Sequence, residues 1–137
     1  MFVKHLEEYI YKEYLIYRTI IVTNNEKENM VLRKDLKSKD YNAVIINEID
    51  NIDYNKIPHR IVIMTYKIFK EFIEFLNSYD GGIFKSSYNL IAFTYSMLDS
   101  IRDELILFYL DKTNNNVGET IFYDKQYFYH KYLNNVV

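Results

Sequence analysis

The sequence predicts an all-α fold, a bundle of about seven helices around one buried central helix. Three stretches lead there. Ser86 to Leu98 (SSYNLIAFTYSML) is apolar on nearly every side, with only Asn89, Thr94 and small serines breaking the run. A helix that is apolar all round must be sheathed by its neighbours or by lipid. The run falls short of the ~20 residues that a membrane span needs, so neighbouring helices are expected to wrap it. Residues 2–22 place Leu6, Ile10, Tyr14, Tyr17 and Ile21 at helical spacing, and Ile61, Met64, Ile68, Phe72, Phe75 and Tyr79 form a longer stripe after Pro58.

Taken in order, the first helix is expected over residues 2–22, with Glu7, Glu8 and Glu13 toward its start and Arg18 toward its end, the sense that suits a helix dipole. The β-branched run RTIIVT (18–23) competes as a strand. Thr23–Asn29 (TNNEKEN) is a polar connection, and Met30–Lys39 is a short helix with Val31, Leu32 and Leu36 among mixed charges. Tyr41–Ile52 (YNAVIINEIDNI) is another short helix, although VII also fits a strand. Asp53–Ile57 is a turn. Pro58 suits a first helical position, where its missing N–H costs nothing, and opens the most strongly patterned helix of the chain. Asp80-Gly81-Gly82 stops that helix through the left-handed conformation glycine supplies. Asp99-Ser100 offers a kink or N-cap before a further helix with Ile101, Leu105, Phe108 and Tyr109 inward. Lys112–Gly118 is a loop, and Glu119–Leu133 closes the bundle.

Length and composition bound the rest. A chain of 137 residues fits a single domain, 1–137, with enough apolar surface for a core. There is no cysteine, which removes thiolate metal sites and cysteine nucleophiles. A net charge of −2 makes no electrostatic case for nucleic acid or an acidic membrane. The chain holds 15 Tyr and 9 Phe but no Trp, a bias typical of AT-rich coding. The start has no signal-peptide pattern and the end no apolar tail, so an intracellular protein without membrane insertion is expected.

No catalytic, cofactor or metal constellation emerges. AVIINEID (43–50) resembles the acidic strand end of a nucleotide hydrolase, but no glycine-rich phosphate loop accompanies it. His5, His59 and His130 have no second ligand at helical spacing. Ser86-Ser87 lacks a strand–turn–helix nucleophile context, and Glu7/Glu8 and Glu71/Glu74 fall on solvated faces. YDKQYFYHKY (123–132) interleaves aromatics with lysine, as base-stacking surfaces do, but without a basic excess it reads as an amphipathic helix.

Three segments resemble the poxvirus Bcl-2-like family: Glu8–Arg18, through its Glu13-Tyr14-Leu15-Ile16-Tyr17-Arg18 motif, its first helix, Leu32–Ile52 its two short helices, and Ser87–Met97 its central helix. The resemblance implies a non-enzymatic virulence factor in the host cytoplasm that binds host signalling proteins and suppresses NF-κB or interferon signalling. The alternative it implies is anti-apoptotic capture of BH3 helices in a groove lined by Leu36, Val44, Ile45, Ile61, Met64 and Ile68, with Asn89 at the rim. Against that alternative, the family's groove arginine has no counterpart near Lys85–Asn89. The resemblance also allows a homodimer through Tyr9, Tyr14, Tyr17, Ile106 and Tyr109. The rival from another class is a mixed α/β enzyme or nucleic-acid module that uses RTIIVT, NAVII and HRIVIM as strands.

Overall fold

The computed structural model describes residues 3, 4, 6, 18–49, 61–76, 88–112, 121–123 and 128–129. It shows a mixed α/β fold. The strands are β1 (Arg18–Thr23), β2 (Ala43–Ile45), β3 (Ile61–Thr65), β4 (Tyr88–Phe93), β5 (Ile121–Tyr123) and β6 (Phe128–Tyr129). The helices of the described elements are α1 (Glu26–Ser38), α2 (Tyr66–Leu76) and α3 (Asp99–Lys112). The six strands form one sheet in the order β2-β3-β1-β4-β5-β6. Every neighbouring pair is parallel except β5–β6, which is antiparallel.

The expected helical bundle is therefore overturned, and the all-α, Bcl-2-like description with it. The stretch read as its central helix contains β4, which pairs in parallel with β1 on one side and β5 on the other. The physical reason is burial on both faces. A strand covered on both sides has no polar face to alternate with its apolar one, so its sequence is a continuous greasy run. Leu90, Ile91, Ala92 and Phe93 are all buried. Asn89 lies where the β1–β4 register slips, between the pairs Arg18↔Tyr88 and Thr19↔Leu90, so it is the extra residue of a bulge.

Alternation is perfect in space. Ile20, Val22, Val62, Met64, Ile91, Phe93 and Phe122 face one core, where Phe69, Phe72, Ile73 and Leu76 of α2 and Leu105, Ile106 and Tyr109 of α3 cover them. Ile21, Ile61, Ile63, Leu90 and Ala92 face the other, beneath Leu32 and Leu36 of α1 and joined by Val3 and Leu6. Tyr109 meets the Phe122 ring edge-on, with centroids 5.3 Å apart.

Chain direction explains which helix lies on which face. From β1 the chain passes through α1 to β2, beyond β3 in the sheet. From β3 it passes through α2 to β4, and from β4 through α3 to β5, both in the opposite direction. Crossovers that run opposite ways on opposite faces share one hand, as the crossover rule requires. The result is a doubly wound sheet with helices on both sides.

Other expectations are corrected in part. The short helix expected at Met30–Lys39 forms but begins earlier, at Glu26. Tyr41–Ile52 yields β2 instead of a helix, and the helix expected after Pro58 starts only at Tyr66, its first residues being β3. Within the expected closing helix, Glu119–Leu133, the described residues are the strands β5 and β6. Residues 18–22 of the expected first helix are β1, while Val3, Lys4 and Leu6 are helical. Pro58 and Asp80-Gly81-Gly82 lie outside the described residues.

α1 ends in a Schellman turn: Tyr41 N–H donates to Leu36 C=O at 2.9 Å and Asp40 N–H to Lys37 C=O at 3.0 Å. Asp40 sits at φ 66°, a left-handed position without glycine.

Neighbouring residues of α1 give a sharp test. Leu32→Ala should cost about 2–5 kcal/mol in chemical denaturation, whereas Val31→Ala, at 53 % exposure, should stay within about 0.5 kcal/mol.

Candidate functional site

In doubly wound sheets, ligands bind outside the carboxyl ends of the strands, in the crevice where successive connections leave in opposite directions. Here that point lies between β1 and β4. The chain leaves β1 toward one edge of the sheet and leaves β4 toward the other.

The residues at this point form one polar cluster. β1 ends at Thr23, and Asn24-Asn25 turn the chain into α1. Asn25 is the N-cap of α1, its side-chain oxygen accepting from Glu28 N–H at 2.9 Å. Asn25-Glu26-Lys27-Glu28 is thus a capping-box sequence. In this helix, however, Glu28 reaches further. Its carboxylate accepts from the Asn24 backbone N–H at 3.4 Å, from the Thr94 hydroxyl, and from the Ser96 hydroxyl at 2.8 Å. Asn24 Nδ2 in turn donates to Ser96 Oγ at 2.9 Å. The β1–β4 ladder runs right up to this cluster, with Thr94 N–H donating to Val22 C=O at 3.1 Å.

Beneath it lies a buried layer. Thr23 and Asn29 are both fully buried. The Thr23 hydroxyl is within hydrogen-bonding reach of Asn29 Oδ1, Asn25 C=O and Met64 C=O. Asn29 Nδ2 has no partner, nor has Thr19 Oγ1 deeper in β1. A hydroxyl donates one hydrogen, so Thr23 satisfies one of its three oxygens at a time.

Chemically, this crevice is filled from within. The N-terminus of a helix attracts negative charge through its free N–H groups and its dipole. The Glu28 carboxylate lies at this end of α1 and accepts from the Asn24 N–H and the Thr94 and Ser96 hydroxyls. At the same end of the sheet, Arg102 is buried in the first turns of α3. It is held by Asp99 at 3.0 Å and by Asp103 through both Nε, at 3.2 Å, and an Nη, at 3.1 Å. A fork of this kind neutralises the guanidinium where it is. No group of His, Asp and Glu able to hold a metal occurs among the described residues, and no helix among them is long and apolar enough to cross a membrane.

The residues expected to line a peptide groove are not gathered into one. Leu36, Ile45 and Ile61 belong to the core under α1, whereas Val44, Met64 and Ile68 belong to the core under α2 and α3, with the sheet between them. Asn89 is the bulge residue of β4. Of the expected dimer face, Ile106 and Tyr109 are buried against the sheet, and Tyr9, Tyr14 and Tyr17 lie outside the described residues, as do His5, His59 and His130. Sequence reasoning passed over Thr23, Asn24, Asn25, Glu28, Asn29, Thr94 and Ser96. The Asn25–Glu28 capping spacing was the available signal; the partnership with β4 had none.

Comparison with protein-family models, curated proteins and solved structures finds no match.

The clamp should be measurable as coupling. Glu28→Ala and Thr94→Ala should each lower stability by about 1–3 kcal/mol, and the double variant should lose at least ~0.5 kcal/mol less than their sum. Strict additivity would mean the two side chains act independently.

Proposed function

We propose that this chain is a non-catalytic doubly wound domain that works by binding another protein through its outer helical surfaces. The observation that carries this reading is Glu28. At the crevice that the described strands make, the chain's own carboxylate stands at the start of α1, and Thr94, Ser96 and Asn24 donate to it. A phosphate or nucleotide arriving there would meet a fixed negative charge. The class of function expected from the sequence, protein binding, is retained. The narrower expectations of NF-κB or interferon-pathway partners and of BH3 capture rested on a helical bundle, and the sheet withdraws that support. The rival mixed α/β architecture has the right fold: RTIIVT is β1, NAVII contains β2, and HRIVIM covers β3 except its last residue, Thr65. The same carboxylate counts against its enzymatic form.

Supporting this, apolar side chains that a lone domain would be expected to cover stand in solvent on helix exteriors: Met30 at 60 % exposure on α1 and Leu107 at 68 % on α3. Single exposed leucines are ordinary, but these two sit at the centres of solvent-facing stripes.

Thermal unfolding in the presence of millimolar ATP, GTP or inorganic phosphate checks the reading. The melting temperature should not move. A rise with ligand concentration, of the size that linkage gives for a bound state, would return the crevice to use as a ligand site.

A further inference from the structure

The outer faces of α1 and α3 carry opposite chemistry. On α1, the buried positions Asn29, Leu32 and Leu36 fix the inward direction. At 100° per residue the outward stripe is then Lys27, Met30, Val31, Lys34 and Lys37. A shallow, open groove of about 330 Å³ lies along it, lined by the apolar Met30 and Val31 and the cationic Arg33, Lys34 and Lys37. The helix's acids fall elsewhere: Glu28 is turned into the crevice, and Glu26 and Asp35 lie on the flanks.

On α3, Arg102, Leu105, Ile106 and Tyr109 point inward, which sends Ser100, Glu104, Leu107 and Asp111 outward, with Asp103 beside them. This stripe is acidic around an apolar centre. Part of the stripe is already engaged within the chain, Asp103 by Arg102 and Glu104 by α2. Lys70 bridges to Glu104 at 2.7 Å and Lys112 lies 3.8 Å from Glu74, both lysines flanking the Phe108 ring.

We propose that the occupant of the α1 groove is the outer face of α3 from a second copy of this chain. Leu107 would seat between Met30 and Val31 and Asp111 would meet Lys34 and Lys37, while Glu104 and Asp103, more than half exposed within their own ion pairs to Lys70 and Arg102, add to the negative field. The two faces lie on opposite sides of the sheet, so a copy that receives α3 on its α1 still presents its own α3. The contact is heterologous and does not close at two copies. Charge pairing at a solvated rim makes the association sensitive to salt. The inference rests on the protein-binding reading and names its partner. The two fail separately, because nucleotide binding would refute the first and leave surface association untouched.

Sedimentation of the whole chain tests it. At low salt the weight-average mass should climb with concentration past twice the 16.7 kDa of one chain, and 0.5 M salt should reduce the association constant by at least about tenfold. Lys34→Glu/Lys37→Glu on α1 and Leu107→Asn on α3 alter exposed positions only, so unchanged circular dichroism and melting temperature are expected of both. Each variant alone should sediment as one chain. Their equimolar mixture should give a species of two chains and none larger, since just one competent pair of faces remains. A wild type that stays at one chain or stops at two overturns the proposal. So does association indifferent to these substitutions, or a single chain that uses α1 to bind anionic vesicles or a single-stranded oligonucleotide.

Discussion

Parallel pairing of β1 on both edges, with cover on both faces, is the constraint from which the rest follows. β1 is bonded to β3 and to β4, and Thr19 to Thr23 are all buried. From Thr19 to Thr23 the strand has no contact with water, so its backbone groups there are satisfied only by the ladders and its side chains are covered by two helical layers. Two layers require helices on both faces, and a single-handed set of crossovers supplies them only if the connections reverse direction in mid-sheet. The reversal places the carboxyl ends of β1 and β4 side by side. The crevice, the Glu28 clamp and the separation of α1 from α3 are consequences of that one placement.

The polar groups of the crevice are turned on one another. The third residue of α1, Glu28, ties the β1–α1 turn to the segment after β4. The clamp joins two elements far apart in sequence, Asn24–Glu28 and Thr94–Ser96, across the sheet's reversal point. On the proposed reading, interaction is left to the helix exteriors. There the chemistry is asymmetric, with lysine around Met30 and Val31 on one side of the molecule and acid around Leu107 on the other.

The local signals in the sequence were accurate where a water-facing side existed. α1 was legible because Leu32 and Leu36 recur among charges, and α3 because Leu105 and Tyr109 do. The sheet was obscured by its own burial. RTIIVT and HRIVIM announced strands through β-branching, yet β4 carries Leu90, Ile91, Ala92 and Phe93 without a polar break, and period alone cannot tell such a run from a buried helix. The stripe Ile61–Met64–Ile68–Phe72 ran straight through a boundary. β3 passes into α2 with no residue between Thr65 and Tyr66, and a gap of three inside a fully buried strand mimics helical spacing. Asn25 and Glu28 stood at capping distance in plain sight; Thr94 and Ser96 became their partners only once β4 lay beside β1. Asp40, a left-handed residue without glycine, gave no warning at all.

Backbone hydrogen exchange resolved by residue tests the central placement most directly. Buried ladders on both sides of β1 predict that Ile20, Ile21 and Val22, together with Ile91 and Ala92 of β4, exchange only through global unfolding and are the slowest amides of the molecule. Rapid exchange at β1, or protection there no greater than at the solvent-facing amides of α1, would contradict a doubly covered parallel centre.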